Sequence, residues 1–317
     1  MEQYVRQPPM TERQIEWMQE QLFEESGPFY QLSTKPLESG LIFTEDEERR
    51  VAVNLIAISS KEFRIEILAY ALMSNHFHFI VRGELKEGVA FFNRLKKRLS
   101  NFFSRRGRSG VLDNVEVDPD TPAIKTLTQF RNEIAYVIRN PYVARNDVNP
   151  LAYPWCSGFL YFNPLLSYLF AEGVNGLTYK EKREITRSPY PVMDPSFRVR
   201  DKMIAPETFV NYKLVEQLFP NARKFTWWVF KNVEGQVEVA DRLGEKPNLN
   251  DDELFKTAQQ ACRLRFGYDS VNELPLPQRK ELALELKNKW SATNKQIARI
   301  ARLDLRVVDS LFPLAAK

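Results

Sequence analysis

Apolar residues recur every three or four positions in some stretches and every second position in others, and each change of period marks an element. Residues 11–25 form a polar run with helical spacing, expected as a leading helix. Residues 28–34 (PFYQLST) read as a first strand, ended by Lys35-Pro36. Thr44, followed by Glu45, Asp46 and Glu47, reads as an N-cap with acids in the first turn of a helix reaching about Ile58. Residues 63–73 (FRIEILAYALM) read as a second strand, Ser74-Asn75 as a turn, and residues 76–82 (HFHFIVR) as a third strand. Residues 85–106 are amphipathic, with Val89, Phe92, Leu95, Leu99 and Phe103 on one stripe, and residues 107–110 break that helix. Residues 114–118 are expected as a short strand, and residues 122–139 as a second long helix closed by Asn140-Pro141. This order predicts an α+β fold with an antiparallel central sheet flanked by helices.

Past residue 165 the pattern loosens. Five prolines between residues 189 and 220, scattered aromatics and the Trp227-Trp228 pair suggest partly helical connecting structure over residues 166–247. From Asn248 short charged helices follow. The expected organisation is therefore a domain over 1–165, a connecting region over 166–247 and a helical module over 248–317.

Composition narrows the class. No apolar run reaches the ~20 residues of a membrane span, and the polar, acid-containing N-terminus resembles neither a secretory signal nor a transit peptide, so a cytoplasmic protein is expected. Cys156 and Cys262 are far apart and unpaired by motif, which argues against a disulfide framework or a cysteine zinc site. Net charge is only +4, yet residues 94–108 hold seven Lys or Arg and no acid. Arg94, Lys97, Arg98, Arg105 and Arg106 in that run are candidates for phosphate contacts, although a solvated helix face reads the same way.

Both histidines of the chain lie in Asn75-His76-Phe77-His78-Phe79. On a strand, positions two apart point the same way, so His76 and His78 share a face while Phe77, Phe79 and Val81 pack behind. Such a pair suits either two structural histidines or chelation of one divalent cation. With no third histidine in the chain, the remaining ligands must be oxygen or amide groups, which favours Mg²⁺ or Mn²⁺ over structural zinc.

On a helical wheel, Leu127, Phe130, Ile134, Val137 and Ile138 form one apolar stripe, and Tyr136 falls nearly opposite, with Asn140 one turn later on the same side. A surface tyrosine would look the same. Beside a metal-binding strand, Tyr136 is a candidate nucleophile: a phenol ionises near ~10 and needs a polarised phosphodiester to attack. Asn140 is the candidate third metal ligand.

These segments resemble a known family. LMSNHFHFIV resembles the His-x-His motif of insertion-sequence single-tyrosine transposases, with Ser74 where they usually have proline. AYVIRNPYVARN resembles their tyrosine helix, and Tyr153-Pro154-Trp155-Cys156-Ser157 resembles the Tyr-x-Trp-Ser-Ser element of REP-associated tyrosine transposases. The resemblance covers roughly residues 28–162. It implies a ferredoxin-like HUH domain that cuts single-stranded DNA near hairpins, leaving a 5′-phosphotyrosine and a free 3′-OH. Carried onto this chain, His76, His78 and Asn140 would hold the metal and Tyr136 would attack. Independently of the resemblance, the basic, Phe-punctuated helix at 91–106 is expected to grip backbone phosphates next to the site.

Residues 291–308 resemble a helix-turn-helix, with Ile297 and Ala298 inward and Lys295, Arg299, Arg302 and Arg306 available to DNA. Arg302-Leu303 stands where a turn glycine is usual, and a plain helical hairpin fits the pattern too. The expected partner is single-stranded or hairpin DNA, bound by a monomer or homodimer. Two other functions stay open: a non-catalytic DNA-binding regulator, and a metal phosphodiesterase with no covalent step.

Overall fold

The computed structural model describes residues 10–37, 41–144, 149–243, 249, 251–290 and 292–313. The chain divides into two compact units, Met1–Pro141 with Val148–Asn232, and Tyr142–Asp147 with Val233–Lys317. The boundary expected at 247–248, Arg145 and Asn146 of the tyrosine-helix motif, and Ser291 lie outside the described residues. No described helix is long and apolar enough to cross a membrane.

The first unit runs α1 (Glu12–Ser26), β1 (Phe29–Ser33), α2 (Asp46–Ser60), β2 (Ile65–Leu72), β3 (Phe77–Gly83), α3 (Leu85–Arg105), α4 (Leu127–Ala144), β4 (Glu172–Gly173), α5 (Tyr179–Thr186), β5 (Arg198–Arg200), β6 (Met203–Ile204), α6 (Tyr212–Leu218) and α7 (Ala222–Lys231). It is an α+β fold with two small antiparallel sheets, ordered β1-β3-β2 and β4-β5-β6. Local chemistry starts the helices. Thr11 and Gln14 close a capping box at α1. At α2 the N-cap is Glu45 rather than the expected Thr44, because the Thr44 amide and hydroxyl instead donate to the buried Glu48 carboxylate, at 2.7 and 3.1 Å.

Strand alternation sorts the first sheet into two faces. Leu32, Phe77, Phe79 and Val81 point into a core with α2 and α3. Phe29, Ala71 and Ile80 point into a second core with α1, α4, α6 and α7. A bulge between Ile67 and Ala69 turns Leu68 and Ala69 of β2 to the same core.

Both sheet edges are partly covered. Beyond β1 the expected strand over 114–118 shrinks to one bridge, Thr34 with Val117, and further along Ile124 N–H donates to Phe29 C=O at 2.9 Å. Pro119 and Pro122 lack the amide protons a longer ladder needs. Because Val117 and Ile124 are tied to the sheet edge, with a turn at residues 118–121 between them, α4 begins only at Leu127, behind Thr126, whose hydroxyl accepts the Gln129 amide at 3.1 Å. The helix then continues through Pro141 rather than stopping there, since one absent N–H in the last turn is tolerated.

Beyond β2, the Tyr153–Ser157 element lies along the edge. Leu72 N–H donates to Trp155 C=O at 2.9 Å, Tyr70 N–H to Ser157 Oγ at 3.0 Å, and Tyr153 Oη to Leu72 C=O at 3.2 Å. Gly158 is required next to it: a Cβ there would come within 2.5 Å of Pro150 O and 3.0 Å of an Ile138 methyl.

Residues 166–232, expected as connecting structure, carry the second sheet and pack into both cores of the first unit, through Val199, Ile204 and Val210 on one side and Leu214, Leu218 and Phe225 on the other. Elements of two or three residues, such as β4 and β6, carry too little periodicity to be read from sequence.

The second unit runs α8 (Val233–Arg242), α9 (Asp251–Ala261), α10 (Leu276–Trp290), α11 (Asn294–Ile300) and α12 (Leu305–Leu311). Leu254, Leu282, Leu286, Ile297, Ile300 and Val308 share its core. Thr293 and Gln296 form a capping box on α11, and Asp304 caps α12. Arg302 takes the left-handed conformation, φ 54°, in the turn position where a glycine is usual.

Candidate active site

The site follows from the register of β1 and β3. Ser33 lies opposite His78, and Gln31 sits two residues before it on the same face. Ser33 Oγ and His78 Nδ1 are 2.8 Å apart, and Gln31 Nε2 donates to Ser33 Oγ at 3.1 Å. With its oxygen accepting from Gln31, the Ser33 hydroxyl is free to direct its proton at His78 Nδ1, or to accept from it in the other tautomer. His78 is 0% exposed, and its Nε2 is buried without a hydrogen-bond partner.

His76 lies just before the strand. Asn75 Nδ2 donates to Leu37 C=O at 3.3 Å, which fixes the amide so that its Oδ1 faces His76 Nδ1 at 2.8 Å. An amide oxygen only accepts, so Nδ1 of His76 carries the proton and Nε2 keeps its lone pair. The rings of His76 and His78 are 4.6 Å apart between centroids, edge to face. Burial lowers the His76 pKa to about 4 and pushes His78 well below its usual range, with His76 adding to the latter, so both imidazoles are neutral at physiological pH.

Tyr136 reaches this pair from α4. Its ring stands edge-on to His78, with centroids 5.8 Å apart. It is 9% exposed, not the surface residue its position opposite the apolar stripe implied, because both sides of α4 are buried in this stretch. Gln129, Glu133, Tyr136 and Asn140 run along one stripe of the helix. Gln129 Nε2 donates to the fully buried Glu133 at 2.9 Å, and Asn140 Nδ2 donates to the Tyr136 carbonyl at 3.2 Å.

A divalent cation fits the donor set in one respect: two neutral imidazoles sit together, and the buried Nε2 of His78 has no hydrogen-bond partner among the described residues. Among the described residues no group of three His, Cys, Asp or Glu could hold a metal ion, so from these residues a further ligand would be an amide oxygen, with water or substrate oxygen completing the set. Ser33, Gln31 and Asn75 act on the histidines through hydrogen bonds, as outer groups do around metal-binding imidazoles. Gln31 and Ser33, two apart on β1, signal a polar patch on one face of that strand. Its pairing with His78 needs the register, which the sequence does not carry.

The basic helix is placed differently from expectation. Phe91, Phe92, Leu95 and Leu99 pack α3 on the opposite face of the sheet from His78, so its arginines are not next to the site. Nor are they a bare cationic stripe. Arg94 and Arg98 pair with Glu62, and Arg106 with Glu45 and Glu47 at 2.8 and 3.1 Å, all from α2 or its ends. Lys97 and Arg105 are exposed and have no ion pair among the described residues. In the second unit Lys295 and Arg299 are exposed on α11, and Arg306 pairs with Asp304 at 3.3 Å.

Comparison with known proteins gives little. No family model matches the chain, and no curated protein does. A solved structure of a REP-associated tyrosine transposase bound to a REP hairpin is similar at 17% identity, covering 43% of this chain and 79% of that one, with a TM-score of 0.34. That likeness is distant, and it carries no argument about chemistry.

Proposed function

We propose that the chain is a metal-dependent enzyme that nicks single-stranded DNA through a covalent phosphotyrosine, as single-tyrosine HUH transposases do. One observation carries the reading: two neutral imidazoles stand side by side, the Nε2 of His78 is buried with no hydrogen-bond partner, and the Tyr136 ring lies against that same histidine. The order of the first sheet, with the 117–124 segment along the free edge of β1, supports a ferredoxin-like core with its last strand cut short.

His76 and His78 would hold Mg²⁺ or Mn²⁺, with the Asn140 amide oxygen as the third protein ligand. The cation, when bound, polarises the scissile phosphate and neutralises charge as it builds. Tyr136 Oη attacks phosphorus, the P–O3′ bond breaks, the phenolic proton passes to solvent, and the 3′ oxygen leaves as a hydroxyl after taking a proton. The phosphotyrosine keeps the phosphodiester's energy for transfer to another 3′-OH. The α11–α12 pair, through Lys295, Arg299 and Arg306, would add duplex contacts in helix-turn-helix fashion.

The test is direct. Hairpin DNA labelled at its 3′ end, mixed with the full-length protein and Mn²⁺, should yield a labelled adduct that survives SDS, while a 5′ label stays in free product. Tyr136→Phe should abolish the adduct. Binding without cleavage across many hairpins would select the DNA-binding regulator instead, and free 5′-phosphate product without adduct would select the phosphodiesterase.

A further inference from the structure

On the side of the first unit that carries α2 and α3, a groove of about 850 Å³ runs between those helices and the strap formed by residues 186–197. Five cationic side chains line it, Lys61, Arg98, Arg105, Arg106 and Arg187, against two acids, Glu62 and Asp194. Two of the guanidiniums share one ring: Arg106 and Arg187 lie 5.6 and 5.4 Å from the centroid of Phe102. The ion pairs that hold them, Arg187 with Glu47 at 2.8 Å and Arg106 with Glu45 and Glu47, are partly exposed. Pairs of that kind are weak, and a phosphate offers the same guanidiniums a bidentate partner.

The strap is held in shape. Arg187 adopts a left-handed conformation, φ 53°, rare for a side chain of its size, and Nε of that residue is buried with no hydrogen-bond partner. Ser188 Oγ accepts from the Tyr190 amide and donates to the Tyr190 carbonyl, both at 3.1 Å, and Tyr179 Oη donates to Pro189 C=O at 2.7 Å. These bonds present Tyr190 at the rim, 83% exposed, beside Val192 at 81%. A solvated aromatic on a braced backbone next to a cationic trough is the arrangement that binds unpaired nucleic acid: the backbone follows the charge and a base stacks on the ring.

We propose that this groove is a second nucleic-acid site, which takes the backbone of a single strand along Arg105, Arg106 and Arg187 while a base stacks on Tyr190. The ligand class rests on the DNA-nicking reading, but the groove lies across the sheet from His78 and serves a segment other than the one being cut.

The test is equilibrium binding of the chelator-treated, full-length protein to a fluorescent, unstructured DNA strand of about 30 nucleotides, about twice the largest site of a single binding module. Arg105→Glu and Tyr190→Ala should each weaken binding about tenfold, Arg105→Glu should also lower the salt slope by about one, and Tyr190→Phe should retain affinity. Duplex of the same sequence should be insensitive to Tyr190→Ala. Lys213→Glu, an exposed lysine on α6, is the control. Unchanged binding in the groove variants, or losses no greater than the control's, overturns the proposal. Loss of binding in these variants without any covalent adduct in the parent leaves the groove standing and removes the nicking reading. An adduct with fully binding groove variants does the reverse.

Discussion

On one face of β3, Phe77, Phe79 and Val81 meet Phe91, Phe92 and Leu95 of α3, all apolar and all buried. On the other face of the same strand His78 meets Ser33 and Tyr136. The two surfaces are separated by nothing more than the pleat of the backbone. Their difference shows how a polar, ligand-competent pocket is kept inside a small sheet. A buried polar group is costly unless hydrogen-bonded, and at least one nitrogen here, Nε2 of His78, lacks a partner. The apolar face offsets that cost, since each aromatic side chain buried there contributes about 2–3 kcal/mol.

Removing one ring from the apolar face should therefore give the largest loss. Phe79 touches Phe77, Phe91 and Phe92 with centroids 5.6–6.3 Å away, so Phe79→Ala leaves a cavity in a dense aromatic cluster. The expected cost is about 3–5 kcal/mol in urea unfolding, read at an unchanged m value. A loss below about 1 kcal/mol would mean this face does not carry the fold.

The next effect belongs to the polar face and depends on pH. His76 titrates near 4 in the folded chain because of its burial, and near ~6.5 when unfolded. Between those values the unfolded state binds the extra proton, so the metal-free protein is at full strength above about pH 6.5 and loses stability as pH falls toward 4. For His76 alone the span is worth up to about 3 kcal/mol. Glu48 does not confuse the window. Its burial is outweighed by bonds from Thr44 and Arg108, which hold it low, so its contribution is lost only below the ordinary carboxylate range. Thermal unfolding in chelator at pH 7 and pH 5 should show the drop, and a His76→Gln, His78→Gln double variant should flatten it. Equal slopes in parent and variant would remove the histidines as the cause.

Much of this contrast is visible in the sequence, and the parts that are not share a reason. The alternation of His76, Phe77, His78 and Phe79 already separates the faces, and the polar run over residues 11–25 marks α1. What escapes is everything set by distant partners. The acid-free run at 94–108 looks cationic until α2 and its flanking residues supply Glu45, Glu47 and Glu62 to it. Tyr136 looks solvent-facing until the polar stripe of α4 is found buried along with the apolar one. Ser33 is an ordinary strand serine until the register sets it opposite His78. Periodicity reports which side of an element a residue occupies, and only packing decides what that side meets.

Ser33→Ala sharpens the comparison at a single hydrogen bond. The expected stability loss is about 1–2 kcal/mol, because His78 Nδ1 and the Gln31 amide both lose their shared oxygen. Mn²⁺ affinity, measured by titration calorimetry, should fall about 10–100-fold, as when an outer partner of a ligating imidazole is removed. The same substitution at a half-buried residue of the apolar face, Val89→Ala, should leave Mn²⁺ binding unchanged. Parallel losses of Mn²⁺ affinity in both variants would show that the faces are not independent.

Tyr136→Phe should have the smallest effect on stability and serves as the sharpest cut between the faces. The ring stays in place against the edge of His78, and only one hydroxyl is removed, so the expected change is about 1 kcal/mol or less. Tyr136→Ala, which empties the ring's volume, should cost about 3 kcal/mol or more. If the phenylalanine variant instead unfolds as readily as the alanine one, the hydroxyl is a structural anchor of α4, and a group so engaged is poorly placed to attack phosphorus. If it folds normally and loses the covalent adduct, chemistry and packing at position 136 are separable, and the polar face is a site carried by the fold rather than a part of its core.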